Sequence, residues 1–241
     1  MKRIFSLFLL LSFVAGIPAV FADEGMWTFD NPPLKQWKEK YGFEPSKAWM
    51  DKVRLASVKV GGASGGFVSP NGLIATNHHV AADIIAKLST KERDLMKTGF
   101  YARTQAEELK AQDAEATVLV SFDNMTERVH GAVKAGATNA EAATQRQAVI
   151  AGIEKDSGAA TGLKCSVVSL YSGGEYWNYC FKRYNDIRLV MAPEEQIAFF
   201  GGDYDNFVFP RHDLDFTFLR AYENGKPAVT PNYLKWSATG P

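Results

Sequence analysis

The alternation of apolar and polar positions divides the chain into segments of different period. Residues 1–22 begin with Lys2-Arg3, run apolar and uncharged over 4–14, break at Gly16 and Pro18, and end Val20-Phe21-Ala22. Residues 31–56 hold two short helical patterns interrupted at Gly42 and Pro45. The period then shortens, and 57–60, 66–69 and 72–76 read as strands, the last two joined by the turn Ser69-Pro70-Asn71-Gly72. His78 and His79 stand just past that hairpin. From 80 to about 158 the pattern predicts mostly helix. Ser89…Glu92, Thr104…Glu107 and Thr138…Glu141 each have capping-box spacing, and one apolar run, 116–122, reads as a buried strand. Strand patterning returns at 165–171, 176–181, 187–191 and 215–222, the last turning at Asn224-Gly225. The expected fold is mainly β with inserted helices.

The first segment has the form of a secretory signal peptide cut after Ala22: a short basic start, an apolar run and small or branched residues before Asp23. A periplasmic or secreted protein is expected. The Gly and Pro interruptions make the run a poor membrane span. Over the 241 residues, 27 Lys and Arg balance 27 Asp and Glu, and removing Lys2 and Arg3 leaves a net charge of −2. No concentrated basic surface is available for nucleic acid, and no polybasic cluster for a membrane surface. The oxidising compartment allows disulfides, and the two cysteines, Cys165 and Cys180, flank the turn signal Tyr171-Ser172-Gly173-Gly174. A cross-strand disulfide closing that hairpin is the expected use of the pair.

The chemistry concentrates in two places. Phe67-Val-Ser-Pro-Asn-Gly-Leu-Ile-Ala-Thr-Asn-His-His79 delivers a histidine at the end of a strand, as trypsin-like double β-barrel proteases present their general base. Such a base must be partly exposed and oriented by a buried carboxylate on its other ring nitrogen. Four aspartates lie near one another downstream, at 203, 205, 213 and 215. Asp215 alone leads straight into an apolar strand, Phe216-Thr-Phe-Leu, so it is the carboxylate expected to be buried and to need an imidazole N–H. A strand-start cap is its plainer role. The separation of 136 residues between His79 and Asp215 exceeds the about 45 of the chymotrypsin arrangement, which requires an insertion between them.

These residues, with the mature start Asp23-Glu-Gly-Met-Trp27, the segment 186–193 and the run Gly201-Gly-Asp-Tyr-Asp-Asn-Phe…Pro210-Arg-His, resemble bacterial serine peptidase family 46, the dipeptidyl-peptidase 7 and 11 group. The resemblance covers essentially all of 23–241 but only the N-terminal part of the family's longer polypeptide. It implies the first barrel of a double-barrel, chymotrypsin-fold peptidase domain with an added helical domain. The implied activity is release of N-terminal dipeptides from peptides, with no cofactor or metal and with a homodimer when full length. On this resemblance His79 is the general base, Asp215 orients it, and Asn206, Phe207 and Arg211 lie where the substrate's N-terminus is held. Asn206 can accept from an ammonium, whereas Arg211 suits the positioning of neighbouring groups. Relatives carry cysteines where this chain has Ala63 and Val80, and some carry Trp where it has Phe207; a looser histidine loop is expected.

The nucleophile is the larger departure. Gly62-Ala63-Ser64-Gly65-Gly66 formally matches a nucleophile elbow, but an elbow needs a helix after its serine and strand pattern follows Ser64. Ser172 falls in a predicted turn and Ser237 near residue 241. The expectation is therefore a piece of the peptidase without its serine. The rival from outside enzymology is a pseudoenzyme or peptide-binding module. A metal site built from His78, His79, His212 and aspartates is weaker, because adjacent residues of a strand face opposite ways and no H-E-x-x-H occurs. The plainer roles are packing for His78, surface for His130 and core for the aromatics at 199, 200, 204, 207 and 209.

Overall fold

In the computed structural model, the residues described are Gly25, 27–199 and 213–237. The signal segment, Asn206, Phe207, Arg211, His212 and the aspartates at 203 and 205 lie outside them. The chain forms two compact units, one reaching to Phe43 and one beginning at Glu44. In the first, helix α1 (Leu34–Tyr41) ends where Gly42 turns left-handed (φ 63°) and donates to Lys38 O. Trp37 and Phe43 then meet ring to ring at 5.9 Å.

The second unit starts with α2 (Lys47–Ala56), capped by Ser46, whose hydroxyl accepts from the Trp49 N–H. Three strands follow: β1 (Ser57–Val60), β2 (Ala63–Phe67) and β3 (Leu73–Thr76). The turn between β2 and β3 needs glycine at position 72. Its φ is +75°, and a Cβ there would stand 2.6 Å from Ala221 O. Next come α3 (His78–Leu88), α4 (Leu95–Thr98), β4 (Phe100–Tyr101), β5 (Leu109–Ala111) and β6 (Ala116–Asn124). Short α5 (Thr126–His130) and long α6 (Asn139–Thr161) precede β7 (Lys164–Leu170), β8 (Glu175–Tyr184) and β9 (Asp186–Ala192). Helix α7 (Glu195–Phe199) and the hairpin β10 (Thr217–Glu223) and β11 (Lys226–Pro227) complete the described elements.

The strands form one antiparallel sheet in the order β4-β9-β10-β3-β2-β1-β6-β8-β7, with β5 also on β9 and β11 on β10. It curls round a core of Val58, Phe67, Ile74, Leu189 and Leu219 far enough for Lys182 of β8 to meet Glu223 of β10 at 3.0 Å. Among the described residues no backbone ladder joins its two ends. The sheet is mainly antiparallel with helices, as expected, but it is not a closed barrel. Beyond the core, β7 and β8 run on with α6 around a smaller cluster of Val129, Ile153 and Tyr176. Cys165 and Cys180 are directly opposite on this pair and form a disulfide.

The region expected to be mostly helical is mixed. Of the three capping-box spacings, Thr138…Glu141 forms the reciprocal box and starts α6. Thr104 opens only a 3₁₀ turn over Gln105–Glu107, and Ser89 ends α3 instead of starting a helix. There Ser89 Oγ donates back to Ile85 O and accepts from the Leu95 N–H. Pairing of β4 and β5 with β9 overrides the local helical signal.

Candidate active site

The site arises where β3 and β10 lie side by side. Thr76 pairs with Thr217, so the chain leaving β3 and the chain entering β10 meet at the same end of the sheet. Asn77, His78 and His79 follow the first strand, and Asp213 to Phe216 precede the second. The two histidines open helix α3 instead of continuing a strand. Successive helical positions still point apart. His78 is buried at 2% exposure, and the His79 side chain is half exposed at 52%.

His79 Nδ1 lies 2.7 Å from Asp215 Oδ2. A carboxylate can only accept, so Nδ1 carries the proton in this contact. The His79 backbone N–H donates to Asp215 Oδ1 at 3.0 Å, and the Asn77 side-chain amide donates to Oδ2 at 2.9 Å and to the Asp215 carbonyl at 3.0 Å. The carboxylate therefore receives three donors. It is 8% exposed and sits at the N-terminus of α3, where the helix dipole favours a negative charge. An imidazole held in this way keeps its other nitrogen in the role of proton acceptor.

The environment of His78 differs. Burial is the main influence on its pKa and pushes it below the ordinary 6.5, against the opposing pull of the Asp215 and Glu195 charges and the Pro193 carbonyl. Among the described residues its Nε2 has no hydrogen-bond partner. Asp213 does not replace Asp215; its Oδ2 is buried and has no hydrogen-bond partner among the described residues.

The remaining candidates lie elsewhere. Ser64 is exposed within β2, and strand and hairpin follow it where an elbow needs a helix. Ser172 sits at the tip of the β7–β8 turn in left-handed backbone (φ 54°). His130 Nε2 bonds the Gly173 carbonyl at 3.1 Å, and its ring stands edge-on to Tyr176. Among the described residues no three His, Cys, Asp or Glu are grouped to hold a metal ion.

Sequence reasoning missed Asn77, although an Asn directly before a helix start is a signal worth following. It also missed a buried network behind the β2–β3 turn. Arg220 donates to Glu108 (2.9 Å) and to the Asn71 carbonyl and side chain, and Tyr222 donates to Glu108 at 2.8 Å. Burial first, and then the Glu108 contact, push the Tyr222 hydroxyl up to about 12. A lone arginine inside the apolar strand 217–222 was its only trace in the sequence.

A model of the family described as Peptidase S46 matches residues 22–241. The chain is 32% identical to dipeptidyl-peptidase 7 of Capnocytophaga gingivalis, over 98% of this chain and 34% of that protein. It is also 32% identical to an Asp/Glu-specific dipeptidyl-peptidase of the same species, over 95% of this chain and 33% of the other. Among solved structures, Porphyromonas endodontalis DPP11 in complex with the dipeptide Arg-Asp aligns with a TM-score of 0.74 at 25% identity, covering 91% of this chain and 35% of that one. A further crystal structure of the same protein aligns at 0.70 and 27% identity, over 90% and 32%. The chain spans about a third of the length of these relatives.

Proposed function

The chain belongs to the peptidase S46 family, and from that premise we propose that it carries the general base and the orienting carboxylate of a secreted serine dipeptidyl-peptidase. The nucleophilic serine is proposed to lie in polypeptide beyond these 241 residues, on a second barrel to which this sheet is the counterpart. The observation that carries the reading is the contact between His79 Nδ1 and the buried Asp215 at 2.7 Å. With Nδ1 engaged, His79 Nε2 takes the serine proton as Oγ attacks the peptide carbonyl, and then returns it to the leaving amine; water repeats the sequence to release the acyl group. Asp215 stabilises the imidazolium formed in each half-reaction.

The substrate is proposed to be a peptide with a free N-terminus, since relatives are dipeptidyl-peptidases and a DPP11 structure is a complex with a dipeptide. Asn206 would accept from the substrate's ammonium, with Phe207 as its wall and Arg211 positioning the groups around it. The test uses the native polypeptide that contains this chain. His79→Ala should lower kcat for dipeptide release by about a millionfold and Asp215→Asn by about ten-thousandfold, while the protein stays folded. Retained turnover in either variant sinks the assignment. Peptide binding without turnover in the unchanged protein would favour the binding-module reading.

A further inference from the structure

The first turn of α3 exchanges its usual roles. Asn77 is the N-cap residue in extended backbone (φ −78°, ψ 155°), where an asparagine oxygen ordinarily accepts the N–H of the second or third helical residue. Its side chain makes no such bond. The N–H of His79, second in the helix, donates instead to Asp215 Oδ1, 136 residues away in the chain. The amide of Asn77 reaches across to the same aspartate and holds it at two points, Oδ2 at 2.9 Å and the main-chain carbonyl at 3.0 Å. The aspartate caps the helix, and the cap residue holds the aspartate. Both oxygens contacted by Asn77 can only accept, so the amide must present its NH₂ group to them. The carboxylate cannot rotate away from His79 Nδ1 without giving up a donor.

We propose that Asn77 is a positioning residue. By pinning Oδ2 of Asp215 against His79 Nδ1, it fixes the neutral imidazole as the Nδ1–H tautomer and reserves Nε2 for proton transfer. The catalytic consequence rests on the serine-peptidase reading; the tautomer can be measured independently of it.

The two can be tested separately. In the 15N-labelled chain, above the pH at which imidazole protonates, long-range proton–nitrogen correlations report which ring nitrogen of His79 carries hydrogen. The unchanged chain should show Nδ1–H. Asn77→Ser removes the amide tie to Asp215 but supplies a hydroxyl able to cap the helix should the carboxylate move, while Asn77→Ala removes the tie and offers no such cap. Both should move the His79 population toward Nε2–H, with thermal stability held in Asn77→Ser. Nδ1–H persisting in the folded variants overturns the proposal. So does failure of Asn77→Ser to fold, which would make Asn77 a structural tie.

In the native polypeptide, Asn77→Ser should lower kcat by about ten- to a hundredfold with KM changed less than about twofold. Loss of activity in Asp215→Asn but not in Asn77→Ser defeats the positioning role alone. Full activity in Asp215→Asn defeats the functional reading and leaves the tautomer result to decide the role of Asn77.

Discussion

His78 and His79 are consecutive in sequence and opposite in situation, and the difference has a measurable sign. His78 is buried with its pKa held below 6.5, chiefly by burial. As pH falls below about 6.5 the unfolded chain takes up a proton at this position and the folded chain resists it, so folding stability is lost in that direction. The contribution is absent above the unfolded value, where both states are neutral. Replacing His78 by Gln removes the uptake. Urea midpoints measured from about pH 7.5 to pH 5 should fall more steeply for the unchanged chain than for His78→Gln; parallel curves would show that His78 does not govern this limb. The sequence offers a histidine after one apolar strand and an aspartate heading another. Their meeting depends on β3 pairing with β10, which neither segment displays by itself. Asn77 was harder to read, because an asparagine before a helix announces a cap and gives no sign that its amide is used 138 residues away.

At the level of elements, the β2–β3 hairpin is held from behind by side chains as well as by its own ladder. Arg220 of β10 bonds the Asn71 carbonyl in the turn, and Glu108 anchors both Arg220 and Tyr222. The Glu108 side chain is 2% exposed and that of Arg220 is 11% exposed, so deleting one partner strands a charge. Glu108→Ala should destabilise the chain by about 3–5 kcal/mol, and Glu108→Leu combined with Arg220→Met by much less, because the double change leaves no unpaired charge. Equal losses in the two variants, read by urea unfolding, would mean that packing and not charge pairing makes the contact matter. The elements themselves were legible where periodicity and chemistry agreed: α1, α2, the hairpin strands and the capping box of α6. They were misread around 89–111, where local capping spacings lose to long-range pairing with β9. Sequence spacing detects a cap but not the strand that competes with it.

On the scale of the second unit, the described residues form two cores of unequal size. The larger involves eight strands and includes Ile74 of β3 and Leu219 of β10, the strands that carry His79 and Asp215 to their meeting point. The smaller has Val129, Ile153 and Tyr176 at its centre, with β7 at the sheet edge. Among the described residues this hydrophobic cluster has only three buried members, far fewer than the larger core, so this part should open locally before the whole unit unfolds. The disulfide sits on this weaker part and closes a loop between residues 15 apart, a constraint worth about 3 kcal/mol in the chain-entropy account. Reducing it should therefore act regionally. Amide exchange at Ile153, Val129 and Tyr176 should already exceed that at Ile74 and Leu219 in the oxidised chain. Reduction should then speed the first group by up to about a hundredfold and leave the second nearly unchanged. Uniform acceleration across both groups would mean that the unit unfolds as one body. If the regional pattern holds, the His79 tautomer should survive reduction, because the strands that set it belong to the core the disulfide does not brace.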